Sequence, residues 1–197
     1  LAVAGSSSND ALVPDANITF SGTGASRSVT VTPLLNQSGT TTITVTVTDE
    51  GNVSTPLSFL LTVTDDNDAP TITGLVPVTI TEDQVGGAGP LPFTIGDVET
   101  AATALAVAGS SSNDALVPDA NISFSGTGAS RSIAVTPLAN QSGTTTITVT
   151  VSDGDGGSTP MAFLLTVSNV NDVPTISSIT NQSTNEDVAT AAIPFTI

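Results

Sequence analysis

The segment Thr64-Asp65-Asp66-Asn67-Asp68-Ala69-Pro70-Thr71-Ile72 lies between two long stretches with the composition of β-strands. It places three carboxylates and one amide side by side just before a proline. Oxygens of this kind are the ligands that Ca²⁺ prefers, and one ion takes about six to eight of them. Pro70 lacks a backbone donor and restricts the chain where it leaves the cluster. The segment therefore predicts a metal-bound joint between two β-domains.

The same pattern returns later as Ser168-Asn169-Val170-Asn171-Asp172-Val173-Pro174-Thr175-Ile176, so that Asp172 lies 104 residues after Asp68. At the same offset, residues 1–41 and 105–145 align without a gap and differ only at Thr19/Ser123, Val29/Ile133, Thr30/Ala134 and Leu35/Ala139. A joint that recurs at a fixed period predicts an array of like domains rather than one domain with a decorated loop.

Alternation of threonine with apolar residues is the main secondary-structure signal, and it is clearest in Thr41–Thr48. Ile43, Val45 and Val47 are predicted to face one side of a sheet and the threonines the other, as in a sheet with one buried face. One repeat is predicted to contain seven strands, near 71–80, 90–95, 103–108, 115–124, 130–136, 143–151 and 160–168, which we call A to G. Seven short strands in about 100 residues predict an all-β, Greek-key sandwich of the immunoglobulin class.

The sequence is predicted to contain one whole repeat and parts of two others. Residues 1–69, the first repeat, carry strands C to G; residues 70–172, the second repeat, are complete; residues 173–197 are the first strands of the next. A continuous array would supply the missing strands covalently. Alternatively, the C-terminal segment of one molecule fills the first repeat of another by strand addition and builds an open filament. Both alternatives predict Ile193, Phe195 and Ile197 against Val29, Val31, Val45 or Val47 of a neighbouring repeat.

The composition excludes several classes of function. With 18 acidic and 2 basic side chains, the formal charge is −16, whereas nucleic-acid binding needs clustered Lys and Arg and an anionic membrane would repel the chain. Cys, His, Lys, Trp and Tyr do not occur, so the usual thiol nucleophile, neutral-pH base and Schiff-base amine are missing. We therefore predict that the chain is not an enzyme. No apolar run approaches the roughly 20 residues of a membrane span, so membrane insertion is not expected.

At Asp65-Asp66-Asn67-Asp68-Ala69-Pro70, together with Glu82-Asp83 and Asp97-Val98-Glu99, the chain resembles the cadherin-like repeats of bacterial surface and secreted adhesins. The linker is similar to the cadherin Asp-X-Asn-Asp-X-Pro pattern. The resemblance implies β-sandwiches strung end to end with Ca²⁺ at each junction. Two departures stand out, because the second linker has Asn169 where the first has Asp65, and the Leu-Asp-Arg-Glu motif of animal cadherins is missing.

Topology indicates which loops meet at each junction, because alternate loops of a sandwich lie at opposite poles. The predicted ligands are Asp65, Asn67, Asp68, Asp97, Glu99, Asp153 and Asp155 at the first junction, and Glu82, Asp83, Asn169, Asn171 and Asp172 at the second. Turn capping and solvation are the alternative explanation for Asp and Asn in loops.

We expect a structural, calcium-stiffened repeat of an extracellular or cell-surface adhesin or filament, acting as a rod or spacer. Its expected partners are neighbouring repeats of the same polypeptide or head-to-tail copies of itself, besides a receptor that the sequence does not identify. The alternative is a ligand- or carbohydrate-binding accessory module of a secreted protein. The 3% aromatic content argues against sugar binding, since sugar rings are normally gripped by exposed aromatic side chains.

Overall fold

The computed structural model describes all residues from Leu1 to Ile197, and they form β-strands and loops without an α-helix. Two compact units are present. The first comprises Leu1–Thr71, Gly96–Ala106 and Val151–Thr159, and the second comprises Ile72–Ile95, Val107–Thr150 and Pro160–Ile197. The chain has no helix with the length and hydropathy required to cross a membrane.

Thirteen strands and two single-turn 3₁₀ helices, Asp15–Asn17 and Asp119–Asn121, make up the regular structure. In chain order the strands are β1 Ala2–Ser7, β2 Ile18–Ser21, β3 Ser28–Val31, β4 Gly39–Thr48, β5 Ser54–Val63, β6 Thr71–Thr73, β7 Val78–Thr81, β8 Ala88–Gly96, β9 Ala106–Ser111, β10 Ile122–Thr127, β11 Ser130–Val135, β12 Gly143–Ser152 and β13 Ser158–Ser168.

The first unit contains a three-stranded sheet, in the order β1-β4-β5, and a two-stranded ribbon of β2 and β3. All of these pairs are antiparallel, with Ile43 opposite Phe59 in the sheet and Phe20 opposite Val29 in the ribbon. Its buried core consists of Leu12, Val13, Ile18 and Ile43, against which Phe20, Val31, Leu61 and Val63 pack while partly exposed.

The second unit is built on two four-stranded sheets, in the orders β10-β11-β8-β6 and β7-β13-β12-β9. Strand β7 pairs parallel with β13, with Val78 beside Leu165, while β8 pairs antiparallel with β11. Phe93 of β8 meets Phe124 of β10 edge to face, with ring centroids 6.2 Å apart. Ile133, Val135, Ile147, Val149 and Leu165 are each 0% exposed, so the core of this unit is closed.

Three details of the strand prediction were wrong. Predicted strand A is divided into β6 and β7, which lie in different sheets, because Gly74 has a φ of +104° and Pro77 follows it. Predicted strand D starts at Ile122 rather than at 115, because Pro118 leads into a 3₁₀ turn whose Asp119 Oδ1 accepts from the N–H of Ser111 (2.7 Å). Thr41 is 2% exposed and not solvent-facing, because it shares the parity of Ile43 and its hydroxyl contacts that of Ser7 (2.7 Å).

Residues 173–197 contain no strand, although the sequence predicts strand A and part of strand B there. Two hydrogen bonds join Ser177 to Thr196 in this segment, since Ser177 N donates to Thr196 O (2.9 Å) and Thr196 N donates to Ser177 Oγ (2.8 Å). Ile176, Phe195 and Ile197 are exposed by 67%, 54% and 94%. The division of the chain into repeats at 69/70 and 172/173 stays a prediction.

Candidate metal centre

The acidic linker contacts two loops that are distant in sequence, and all three segments belong to the first unit. Asn67 Nδ2 donates to Asp153 Oδ2 (2.9 Å), and the backbone N–H of Asp68 donates to Glu99 Oε2 (3.1 Å). Pro70 is fully buried at the end of the linker. The structure thus brings together the linker, the loop after β8 and the turn after β12, which are the three segments selected from the sequence for the first junction.

Asp153 organises the turn between β12 and β13 and is 8% exposed. Its Oδ1 accepts from the backbone N–H groups of Asp155, Gly156 and Gly157, at 2.8, 3.0 and 2.9 Å. The hydrogen bond from Asn67 lowers the pKa of Asp153 most strongly, and the backbone bonds lower it further, while burial acts in the opposite direction. Both carboxylate oxygens of Asp153 are therefore satisfied by protein donors.

Asp97 differs from Asp153 in having an unsatisfied oxygen. Its Oδ1 accepts from the backbone N–H groups of Glu99 (3.0 Å) and Thr100 (2.8 Å), which closes the loop after β8. Its Oδ2 is buried and has no hydrogen-bond partner. A buried carboxylate oxygen without a partner is costly, because it loses its hydration and gains nothing in return. A bound cation is one way to remove that cost.

A hollow of about 220 Å³ adjoins this region, and four carboxylate side chains line it. They are accompanied by a threonine and by the turn after β3, so the full lining is Leu35, Asn36, Gln37, Thr64, Asp65, Asp66, Asp68 and Glu99. Asp66, Asn36 and Gln37 were not among the predicted ligands. Asp66 could have been found from its place within the acidic run, whereas the position of the Asn36 turn depends on a left-handed backbone (φ +56°).

Asp155 is exposed. In the turn after β12, Asp155 contributes its backbone N–H, which donates to Asp153 Oδ1. Its side chain therefore has no contact in the structure that favours a role as a ligand. The proposal that Asp155 binds metal rests on the sequence pattern alone.

The second predicted ligand set is only partly assembled. Glu82 Oε1 accepts from Asn169 Nδ2 (2.8 Å) and from the backbone N–H of Val170 (2.7 Å), so an amide nitrogen, and not an oxygen, faces this carboxylate. Asp83, Asn171 and Asp172 are exposed, and Asn171 Nδ2 donates to the carbonyl of Asp172 (3.2 Å). These residues show no vacant buried oxygen comparable with Asp97 Oδ2.

A calcium ion therefore suits the first set better than the second. No group of three or more His, Cys, Asp or Glu side chains is close enough to hold a metal ion without rearrangement. The first set nevertheless offers the unsatisfied Asp97 Oδ2 and a hollow lined by acidic side chains without a Lys or Arg. Hard carboxylate and amide oxygens are the donor set that Ca²⁺ prefers.

Comparison with known proteins identifies the family and the fold of the chain. The family described as "Bacterial Ig domain" matches residues 67–166, about half of the chain. Solved cadherin ectodomains are similar in structure. Domains 3–6 of protocadherin gammaB7, in a cis-dimer structure, share 20% identity over 89% of this chain at a TM-score of 0.50, and domains 3–6 of protocadherin gamma B2 share 15% over 90% at 0.53.

The chain spans about two fifths of those ectodomain structures, 42% in each case. Comparison with curated protein sequences gives no significant match. At these identities the structural neighbours establish the fold alone. The predicted immunoglobulin-like, cadherin-like sandwich is confirmed, and the chain belongs to the bacterial Ig domain family.

Proposed function

We propose that this chain is a structural repeat of an extracellular adhesin or filament, in which Ca²⁺ held by the linker and its two contacting loops restrains the linker. The observation that carries the calcium site is Asp97 Oδ2, a buried carboxylate oxygen without a partner in the structure. The family match and the cadherin-like sandwich support a structural role outside the cell.

Each residue of the centre has a distinct part in this proposal. Asp97 supplies the buried oxygen and, through its Oδ1, orders the loop that carries Glu99. Asp65, Asp66, Asp68 and Glu99 supply carboxylates around the hollow. Asn67 and Asp153 connect the linker to the turn after β12, so the linker is oriented by the protein itself. When bound, Ca²⁺ would supply the positive charge that lets these carboxylates approach one another.

The charge of the whole chain favours the same function. A formal charge of −16 opposes a compact state through self-repulsion, and divalent cations relieve that repulsion most where carboxylates are concentrated. A spacer built of such repeats would be stiff in calcium-rich surroundings outside the cell and looser without calcium. Its partners are neighbouring repeats of the same polypeptide.

Calcium titration by isothermal calorimetry tests the site with a closely matched variant. In Asp97→Asn the remaining oxygen can still accept from Glu99 and Thr100, but the negative charge is lost. We expect the affinity for Ca²⁺ to fall roughly tenfold or more, since charge count tunes such sites. Asp114→Asn removes the same charge from an exposed position and should titrate like the original chain. Identical titrations for Asp97→Asn and the original chain would refute the site.

A further inference from the structure

Gly157 closes the turn after β12 and lies against the linker. Two other glycines of this turn, Gly154 and Gly156, have φ values of +109° and +110°, in the region that favours glycine. Gly157 does not have a φ of that kind. Its backbone therefore suits any residue type, and the conformation of the turn does not require a glycine at this position.

The close approach of the linker is what requires a glycine at 157. A methyl group on the Cα of Gly157 would overlap Asp153 Oδ2, the atom that accepts the hydrogen bond from Asn67. The same methyl group would lie 3.0 Å from Asn67 Nδ2 and 3.1 Å from Ala69 Cα. Contacts this short force the neighbouring atoms apart. A side chain at 157 is therefore incompatible with the linker in its present position.

The corresponding turn of the first repeat, between β4 and β5, has a side chain at this position, because Val53 lies 104 residues before Gly157. Asp49 N donates to Val53 O (3.1 Å), and Val53 N donates to Asp49 Oδ1 (2.9 Å). In the same way, Asp153 N donates to Gly157 O (3.2 Å), and Gly157 N donates to Asp153 Oδ1 (2.9 Å). A turn of this length and closure thus accommodates valine at the position that the linker needs empty.

We propose that the residue at position 157 decides whether the linker docks on the turn after β12. Glycine leaves the space in which Asn67 reaches Asp153, whereas a side chain such as that of Val53 fills this space. The chain therefore contains two kinds of turn. One kind holds a linker through this contact, and the other excludes it by means of its valine.

Docking of the linker does not require calcium, because the contact consists of protein groups alone. Its consequence for calcium binding rests on the proposed function. The docked linker carries Asp65, Asp66 and Asp68, which line the hollow together with Glu99. A linker that is already held loses less conformational freedom when Ca²⁺ binds, so the affinity is higher. Gly157 is thus a positioning residue for the proposed site and not a ligand.

NMR relaxation of the backbone amides of residues 65–69, measured in chelator, tests docking without calcium. In the original chain we expect these amides to be as ordered as those of β12. Gly157→Val should make them mobile, and Gly157→Ala should do so to a smaller extent. Ser158→Val adds the same side chain at the next position, which is exposed, and should leave the linker ordered. Hydrogen exchange of the amides of β12 should stay the same in every variant, which shows that the fold is intact.

Two results of this measurement would overturn the proposal. One is a linker that is already mobile in the original chain. The other is a linker that stays equally ordered in Gly157→Ala and Gly157→Val.

Calcium titration of the same variants by calorimetry tests the positioning role. We expect Gly157→Val to weaken calcium binding about tenfold, as the loss of a supporting contact around a metal site does, and Ser158→Val to titrate like the original chain. Unchanged affinity in a Gly157→Val chain whose linker is mobile would overturn the positioning role. Failure of the calcium site itself is recognised separately, because Asp97→Asn would then titrate like the original chain while the relaxation data in chelator still decide the role of Gly157.

Discussion

Asp97 and Asp153 lie in the same region but differ in how many hydrogen bonds their carboxylate oxygens accept. Asp153 accepts four hydrogen bonds, one from Asn67 and three from its own turn. Asp97 accepts two bonds on one oxygen and none on the other. Asp153 therefore connects the linker to the turn after β12, and Asp97 is the carboxylate that we propose as a calcium ligand.

The lowered pKa of Asp153 predicts a pH dependence of the linker contact. Because the pKa in the folded protein lies below the ordinary value of 3.8, the charged form is the one that the fold stabilises. Its contribution to stability is fully present above pH 3.8 and is lost as the pH falls through the lowered pKa. NMR titration of the Asp153 side-chain carbonyl measures this value directly.

Replacing Asn67 by Ala should raise the pKa of Asp153, because the hydrogen bond from Asn67 is the largest cause of the shift. Asn181→Ala, at an exposed position in residues 173–197, is the control and should leave it unchanged. An Asp153 that titrates at or above 3.8 in the original chain would contradict this description of the contact.

Strand β12 shows what alternation predicts well, since Ile147, Val149 and Val151 are all buried, whereas among the apolar residues of β4 only Ile43 is buried and Val45 and Val47 are partly exposed. The same pattern does not specify the ends of strands. Thr41 and Thr145 are 2% exposed because a serine hydroxyl on the neighbouring strand satisfies each of them, and that partner is not visible from the alternation. The break at Gly74 depends on its positive φ. The chain contains 17 glycines, and the sequence does not show that this one adopts such a conformation within a predicted strand.

For the candidate metal centre, the sequence predicts which three segments meet, but it does not predict which side chains have oxygens free to bind a metal ion. Alternate loops of a sandwich lie at opposite poles, and this rule alone predicts that the linker lies near the loops that carry Asp97, Glu99 and Asp153. Which oxygens remain vacant depends on hydrogen bonds such as Asn67 to Asp153, and these follow from side-chain rotamers. The second set illustrates the difference, because Asn169 donates to Glu82 there and occupies its carboxylate.

The two repeats offer a matched test of core packing. Leu165 of β13 is 0% exposed, so Leu165→Ala should cost about 2–5 kcal/mol. Its counterpart 104 residues earlier, Leu61 of β5, is only partly buried, and Leu61→Ala should cost about 1–2 kcal/mol because part of this side chain stays in water.

Urea unfolding followed by circular dichroism measures both losses. Equal losses at the two positions would show that Leu61 is as fully buried in solution as Leu165, contrary to the structure.

The two arginines, which are the basic side chains of the whole chain, both donate hydrogen bonds to nearby backbone carbonyls. Arg27 donates to the carbonyls of Gly22 and Gly24, and Arg131 donates to those of Gly126 and Gly128, each closing its own hairpin turn. Two arginines cannot balance 18 acidic side chains. The remaining charge has to be balanced by cations from solution, which is the physical reason to expect calcium dependence in the chain as a whole.

Small-angle X-ray scattering of the chain, with calcium and with chelator, tests the central claim most directly. If bound Ca²⁺ restrains the linker, calcium should narrow the distribution of interatomic distances and chelator should broaden it. Adding Asp97→Asn should shift this change to higher calcium concentration, whereas Asp114→Asn should not. Superimposable scattering curves with and without calcium, at concentrations that saturate any binding seen by calorimetry, would contradict the account.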